Sequence, residues 1–100
     1  MKIKRIAVYC GSSVGDEEIY KTQALALVQA MHKRGYGLVY GGGNVGIMGI
    51  IADEMLRFGG EVIGVIPKRL MDKEVGHTGL TQQIVVDSMH ERKAKMFELC

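Results

Sequence analysis

A glycine-rich run at residues 41–49 constrains the fold more than any other part of the chain. It has the sequence Gly-Gly-Gly-Asn-Val-Gly-Ile-Met-Gly and follows a short apolar segment, 37–40. Glycines at 41, 43 and 46 match the spacing G-x-G-x-x-G, which lets the backbone turn sharply and bring its N–H groups close to a phosphate. The helix expected to begin there adds a partial positive charge. The run therefore predicts a strand-to-helix turn that binds an anion, although such turns also occur without a ligand.

Strand-like and helix-like segments alternate along the chain. We predict strands at 3–9, 36–40, 61–66 and 82–86, and helices at 16–34, 45–57 and 88–99. The order β-α-β-α-β-β-α predicts an α/β fold, a Rossmann-like doubly wound parallel sheet, in a single nucleotide-binding domain at 1–100. The third helix ends without a glycine, a proline or a closing strand. We therefore expect the sheet to be truncated after that helix, as the amino-terminal part of a larger domain.

The composition excludes several classes of partner. Lysine and arginine number 13 against 11 aspartates and glutamates, a net charge of +2 that is too balanced to predict binding to nucleic acid or to an anionic membrane. No apolar run is long enough to cross a bilayer, and no signal-peptide core is present, which predicts a cytoplasmic protein. Cys10 and Cys100 are expected to be free thiols. Neither has metal-ligand neighbours, so no metal site is predicted.

Two further segments follow predicted strands at the sheet edge where α/β proteins bind ligands. Cys10-Gly11-Ser12-Ser13 comes after the first strand, and the hydroxyls of Ser12 and Ser13 are either phosphate donors or parts of a plain polar turn. Residues 68–79 lack periodicity, and a loop of that length is usually functional or mobile. Its candidates for substrate contact are Lys68, Arg69, His77 and Thr78, although a solvated crossover is favoured for each.

The third helix begins with a polar group. Ser88 and Glu91 have the spacing of a capping box, which gives Glu91 a structural role. Apolar side chains on one face are expected to join the core, and the charged ones to point elsewhere. The expected core residues are Met89, Met96, Phe97 and Leu99, and those expected to point away are His90, Arg92 and Lys93.

The position of the glycine run excludes two familiar nucleotide sites. In dinucleotide-binding domains the glycines follow the first strand and an acidic residue ends the next one. Here they follow the second strand, and Glu61 stands at the wrong end of the third. A P-loop is excluded because no Gly-Lys-Ser/Thr follows the turn. A site for a monophosphate ester remains, built from at least two loops and the amino end of the third helix.

Three motifs together resemble those of the cytokinin-activating "Lonely guy" proteins, often labelled lysine decarboxylase-like. The motifs are Cys10-Gly11-Ser12-Ser13, the glycine run from Gly41 to Gly49, and Met89-His90-Glu91-Arg92-Lys93, with Gly64-Val65-Ile66-Pro67 between the second and the third. The resemblance spans nearly the whole chain. It implies a phosphoribohydrolase that cleaves the N-glycosidic bond of an adenosine 5′-monophosphate, with or without an N6 substituent. The products would be the free base and ribose 5-phosphate.

The resemblance also implies a role for individual residues. Arg92 is the expected catalytic arginine, which would hold the ribose phosphate or stabilise charge as the bond breaks. The expected substrate-binding residues are Ser12, Ser13, Gly42, Gly43, Asn44, Gly46, Met89, Arg92 and Lys93. Family members commonly form homodimers through the region of the third helix, so a homodimer is expected here. The resemblance implies no cofactor.

One departure from the family pattern limits what this chain is expected to do alone. The family's next signature, Pro-Gly-Gly-x-Gly-Thr followed by a glutamate, is absent from the 100 residues. In the family that segment supplies a second phosphate-binding turn and a carboxylate, and a carboxylate is central to glycosidic hydrolysis. We therefore expect an enzyme whose first 100 residues are weak or inactive alone.

Two other functions have to be weighed against the glycosidase. A non-catalytic nucleotide- or cofactor-binding module, of the molybdenum-cofactor carrier type, would share the fold, and only the absent acidic motif separates it in sequence. An amino-acid decarboxylase is disfavoured because pyridoxal phosphate needs a Schiff-base lysine and an acidic partner for its ring nitrogen. No lysine in the sequence has such a setting.

Overall fold

The computed structural model describes residues 4–8, 17–44 and 46–100. Within those ranges it contains strands, α-helices and one short 3₁₀ helix in the predicted order. The strands are β1 (Arg5–Ala7), β2 (Gly37–Tyr40), β3 (Val62–Pro67) and β4 (Gln82–Val86). The α-helices are α1 (Glu17–Lys33), α2 (Gly46–Arg57) and α3 (Met89–Leu99), and the 3₁₀ helix is Lys68–Leu70. The predicted boundaries are correct to within about two residues, and both ends of the predicted first strand, residues 3 and 9, lie outside the described residues.

The described strands form one parallel sheet in the order β1-β2-β3-β4. Helix α1 connects β1 to β2 and helix α2 connects β2 to β3, whereas β3 and β4 are joined by the segment 68–81. Because all four strands run the same way, their carboxyl ends lie at one edge of the sheet. The segments that follow β2, β3 and β4 therefore meet at that edge. This is the predicted Rossmann-like α/β architecture.

Alternate residues of the strands face two separate cores, as expected for a sheet covered on both sides. In β2, Leu38 and Tyr40 pack toward α1 and α2, while Val39 packs toward α3. The first core consists of Val28, Met31, Leu38, Tyr40, Met48, Ile51, Ala52, Met55 and Val62. The second consists of Val39, Ile63, Val65 and Met96. Helices on both faces confirm the doubly wound arrangement.

The buried stripe of α1 differs from the predicted one. The apolar positions of this helix predict a buried stripe that includes Ile19, Leu27, Val28 and Met31, but Ile19 and Leu27 are 62% and 46% exposed. Val28 and Met31 are buried as predicted, with Ala24 packed beside them. These three positions follow the i, i+4, i+7 spacing of one helical face, which rotates Leu27 to the border of the stripe. The helical spacing of the apolar residues of α1 therefore predicts its buried face better than their number does.

Helix α3 turns a different face to the sheet than the apolar residues predicted. Met96 is 1% exposed and Arg92 is 9% exposed, whereas Phe97 is 82% exposed and Met89 is 37% exposed. Positions 92 and 96 are one helical turn apart and share a face. The prediction that Arg92 points away from the core and that Met89 and Phe97 enter it is wrong. Arg92 tolerates burial because protein acceptors satisfy its guanidinium, as described below.

The amino end of α3 is capped as predicted. The Ser88 hydroxyl accepts a hydrogen bond from the Glu91 N–H at 3.1 Å, and the Glu91 carboxylate accepts one from the Asp87 N–H at 2.7 Å. The first contact satisfies an N–H group of the first helical turn, and the second fixes the backbone of the residue before the N-cap. Glu91 thus has the structural role that its spacing from Ser88 indicated.

The opposite, amino-terminal edge of the sheet carries its own ion pair. Arg5 Nε lies 2.8 Å from Glu61 Oε1, and this hydrogen bond raises the pKa of the arginine. Glu61 is therefore at the edge away from the glycine run, as the sequence predicted. None of the helices in the described ranges is both long and apolar enough to span a membrane.

Candidate functional site

The glycine run makes a turn whose backbone only glycine adopts easily. Gly42 has a φ of +81° and Gly46 a φ of +55°, both in the left-handed region. The buried Tyr40 hydroxyl donates a hydrogen bond to the Gly43 carbonyl at 2.7 Å, which secures the turn to the last residue of β2. The predicted strand-to-helix turn is thus present at the carboxyl edge of the sheet.

Helix α2 begins at Gly46 and points its amino end into this turn. Its first turn carries no acidic residue, whereas that of α3 carries Glu91. The positive end of α2 is therefore not offset by a carboxylate of its own first turn, which favours an external anion. Gly49 leaves room for the end of the turn, because a Cβ at this position would lie 2.7 Å from Asn44 Oδ1.

The segment after β3 packs directly on the glycine run. Gly43 and Gly76 form an antiparallel bridge, the Asn44 N–H donates to the Glu74 carbonyl at 2.9 Å, and the His77 N–H donates to the Gly42 carbonyl at 2.9 Å. A solvated crossover was favoured for Lys68, Arg69, His77 and Thr78; Lys68 and Arg69 are exposed, whereas the backbone of His77 packs on the turn. The segment forms one wall of the candidate site.

His77 was a candidate for substrate contact, but its ring is engaged within the protein. Its Nδ1 accepts the Gly79 N–H at 2.9 Å, so the neutral ring carries its proton on Nε2. That Nε2 lies 2.7 Å from the carboxylate of Asp53 on α2. The residue anchors the segment 68–81 to α2.

The side chain of Gln83, on β4, stabilises the glycine turn by hydrogen bonds. Its Nε2 donates to the Gly42 carbonyl at 2.8 Å and to the His77 carbonyl at 3.3 Å. Its Oε1 is buried and finds no hydrogen-bond donor among the described residues. Gly64 of β3 leaves room for this arrangement, because a Cβ there would lie 2.6 Å from Gly42 Cα. The turn therefore rests closely on β3 and β4.

Arg92 reaches from α3 to the ends of two strands. Its Nε donates to the Val65 carbonyl at 2.9 Å, and its Nη2 donates to the Gly41 carbonyl at 2.5 Å. Gly41 makes this approach possible, since a Cβ there would collide with the guanidinium. Arg92 thus joins the third predicted motif to the glycine run, as expected of one site.

The same Nη2 also pairs with a carboxylate. It lies 2.7 Å from Glu74 Oε1, and the two side chains are only 10% and 16% exposed. The two opposite charges neutralise each other away from solvent, and such charge-assisted hydrogen bonds are among the strongest in proteins. Nη1 has a weaker neighbour, the sulfur of Met89 at 3.7 Å. This edge of the guanidinium, beside the partly exposed Met89, is the one best able to receive a substrate.

Some of the other predicted site residues lie together in the turn, and others lie on α3 or outside the described residues. Gly42, Gly43, Asn44 and Gly46 lie together in the turn, and Asn44 is exposed. Lys93 is also exposed, next to Arg92 along α3. Ser12 and Ser13 lie outside the described residues. In the ranges 4–8, 17–44 and 46–100, no three His, Cys, Asp or Glu side chains come together as metal ligands would.

Two residues of the site were missed by sequence reasoning. Glu74 lies in a segment without periodicity, where nothing separates it from the neighbouring Asp72. Gln83 occupies a strand position that alternation assigns to one face without indicating what it contacts. The only available signal was the length of the segment 68–79, which marks it as functional but identifies no residue in it.

A groove of about 290 Å³ lies at the opposite edge of the sheet. It is lined by His32, Gly35, Tyr36, Gly37, Gly60 and Glu61. None of the predicted site residues contributes to it. Ligands of open α/β sheets bind at the carboxyl ends of the strands, so the glycine turn is the better candidate.

Comparisons with known proteins agree with the resemblance noted in the sequence. The chain is 45% identical, over 95 residues, to the cytokinin riboside 5′-monophosphate phosphoribohydrolase LOG5 of Arabidopsis thaliana. The match covers 95% of this chain and 42% of that relative. The chain thus spans about two fifths of the length of this curated relative.

Solved structures share the fold. A structural genomics target, TM1055, superposes with a TM-score of 0.73 at 20% identity, covering 99% of this chain and 57% of the other. A molybdenum cofactor carrier protein from Chlamydomonas reinhardtii has a TM-score of 0.68 at 21% identity, covering 90% and 53%. At such identities these likenesses establish the fold alone, and the second does not favour a carrier function.

A family model described as possible lysine decarboxylase matches residues 48–100. The matched region runs from α2 to the end of α3 and includes both Glu74 and Arg92. It covers just over half of the chain. The chain therefore belongs to the possible lysine decarboxylase family, the one that the "Lonely guy" resemblance indicated.

Proposed function

We propose that the full protein hydrolyses the N-glycosidic bond of adenosine 5′-monophosphate or of an N6-modified form of it. The products are the free base and ribose 5-phosphate. The observation that carries the proposal is the 45% identity to a relative named cytokinin riboside 5′-monophosphate phosphoribohydrolase. The glycine turn supports it, because its geometry suits the phosphate that such a substrate carries.

In this proposal the 5′-phosphate binds at the amino end of α2. The helix dipole and the backbone N–H groups of the turn stabilise its negative charge, except for the Asn44 N–H, which already donates to the Glu74 carbonyl. Ser12 and Ser13 are proposed to add hydroxyl donors. Phosphate binding fixes the ribose relative to the protein, and such binding energy from a part of the substrate that does not react can lower the barrier of the reaction.

Arg92 is the proposed catalytic residue. Its Nε and Nη2 are held by protein acceptors, which leaves Nη1 as the edge for substrate. A fixed guanidinium would meet the ribose phosphate without reorganisation as charge develops at the anomeric carbon. Met89 lies beside Nη1 and would contact the nucleotide, and Lys93 would add positive charge at the rim.

The proposal includes a homodimer in the cytoplasm, formed through the region of α3. Phe97, 82% exposed on that helix, supports such an interface because exposed aromatic side chains are enriched at contacts between proteins.

Incubation of the full protein with AMP and N6-isopentenyl AMP tests the proposed reaction. We expect release of the free base together with equimolar ribose 5-phosphate. Adenosine, which lacks the phosphate, is the matched control substrate, and kcat/KM for it should be lower by roughly 100-fold or more. Binding of AMP without base release would instead support a carrier. Equal rates with adenosine would contradict the phosphate-binding role of the glycine turn.

A further inference from the structure

We infer that Glu74 is a positioning residue of this site, which holds the Arg92 guanidinium in the orientation that the substrate requires. The inference rests on the proposed function. It starts from the 2.7 Å contact between Glu74 Oε1 and Arg92 Nη2, made by two side chains that are largely removed from solvent. Glu74 is the carboxylate that the described residues bring to this guanidinium.

The hydrogen bonds of Arg92 leave little freedom to its planar group. A guanidinium has five N–H donors in a fixed fork. The Nε donor is taken by Val65, and the two Nη2 donors by Gly41 and Glu74. Without Glu74, the acceptors at Nε and Nη2 would be two neutral carbonyls, with no anion to balance the cation. The carboxylate therefore adds the third acceptor that fixes the plane of the guanidinium, and it leaves Nη1 beside Met89.

Glu74 is itself fixed to the glycine run. Its carbonyl accepts the Asn44 N–H at 2.9 Å, and its own N–H donates to the Leu70 carbonyl at 2.8 Å. Gly43 permits the close approach, since a Cβ there would lie 2.8 Å from the Glu74 carbonyl oxygen. One residue thus contacts the proposed phosphate-binding turn through its backbone and Arg92 through its side chain.

A positioning role for Glu74 can be distinguished from a role in which its carboxylate only competes with the substrate's phosphate for Arg92. If Glu74 only occupied the place of the substrate's phosphate, removing its charge would tighten substrate binding and leave kcat intact. A positioning carboxylate behaves differently, because a misplaced guanidinium loses stabilisation mainly in the transition state. The effect then appears in kcat, with KM much less affected.

The test compares Glu74→Gln with Glu61→Gln in the full protein. Both changes remove the charge from a carboxylate paired with an arginine, but Glu61 pairs with Arg5 at the opposite edge of the sheet. With AMP as substrate, we expect Glu74→Gln to lower kcat by about tenfold to 100-fold and to change KM by less than about threefold. Glu61→Gln should keep the wild-type kcat. Glu74→Asp, which retains the charge, should recover part of the loss.

Proton–nitrogen correlation spectra of the arginine side chains provide a readout that does not depend on activity. In Glu74→Gln the Arg92 signals should shift and show faster rotation of the guanidinium, and in Glu61→Gln they should not. A wild-type enzyme that releases base while Glu74→Gln matches Glu61→Gln in kcat would overturn the inference and leave the proposed function standing. A wild type that releases no base would remove the proposed function. In that case unchanged Arg92 signals in Glu74→Gln would also reject the positioning role.

Discussion

Arg92→Met is expected to abolish most of the base release and to destabilise the fold. The change removes the cation from a buried pair and the donors from two carbonyls, those of Gly41 and Val65. Breaking a buried pair from one side leaves the other charge uncompensated, which costs about 3 kcal/mol. Loss of a preorganised cation at the reacting centre should lower kcat by roughly 100-fold or more. Urea denaturation and the base-release assay measure the two effects.

Lys95→Met is the matched control on the same helix. Lys95 pairs with Glu98 at 3.2 Å, and the Glu98 side chain is 69% exposed. Exposed pairs contribute little, so its stability should remain within about 0.5 kcal/mol of wild type with full activity. If the Arg92→Met variant kept the stability and the base release of the wild type, the proposal that Arg92 is the central residue of this site would be wrong.

Gly42→Ala is expected to damage both the fold and phosphate binding. An alanine at this position would have to adopt a φ of +81°. Its Cβ would collide with the Gln83 side chain and would lie 3.1 Å from Ile66 Cβ. Left-handed strain costs about 1 kcal/mol, and forcing extra volume into a packed site adds about 1–3 kcal/mol. We therefore expect a loss of about 3 kcal/mol in the free energy of unfolding and weakened AMP binding. Urea denaturation and calorimetric titration with AMP measure these quantities.

Gly35→Ala isolates the contribution of backbone strain. Gly35 has a φ of +78°, almost the same as Gly42, but a Cβ there would meet nothing within 4 Å. It also lies away from the glycine turn. The expected cost is about 1 kcal/mol, with AMP binding unchanged. Equal losses in the two variants would show that contact with Gln83 and Ile66 does not restrict position 42.

The secondary structure could be predicted from the sequence because its signals are local. The glycine run and the spacing of Ser88 and Glu91 each depend on residues a few positions apart, and β4 was predicted with its observed limits. The buried face of α3 was not predicted. It depends on Arg92, whose burial is possible only because Val65, Gly41 and Glu74 provide acceptors from distant parts of the chain.

The site was predicted in outline, and its internal contacts were not. The motifs indicated correctly that the glycine run and the start of α3 belong together at the carboxyl edge. The antiparallel contact between Gly43 and Gly76 joins residues 33 positions apart, and no local sequence pattern predicts it. The side chains of Glu74 and Gln83 likewise contact residues distant in the sequence, Arg92 and Gly42, so sequence periodicity could not identify them.

A crystal structure of the full protein with ribose 5-phosphate tests the proposal that the substrate's phosphate binds at the glycine turn. We expect the phosphate to lie within hydrogen-bond distance of backbone N–H groups at the amino end of α2, beside Gly42 and Gly46. Phosphate bound instead in the groove beside His32, Tyr36 and Glu61, with the glycine turn empty, would contradict it.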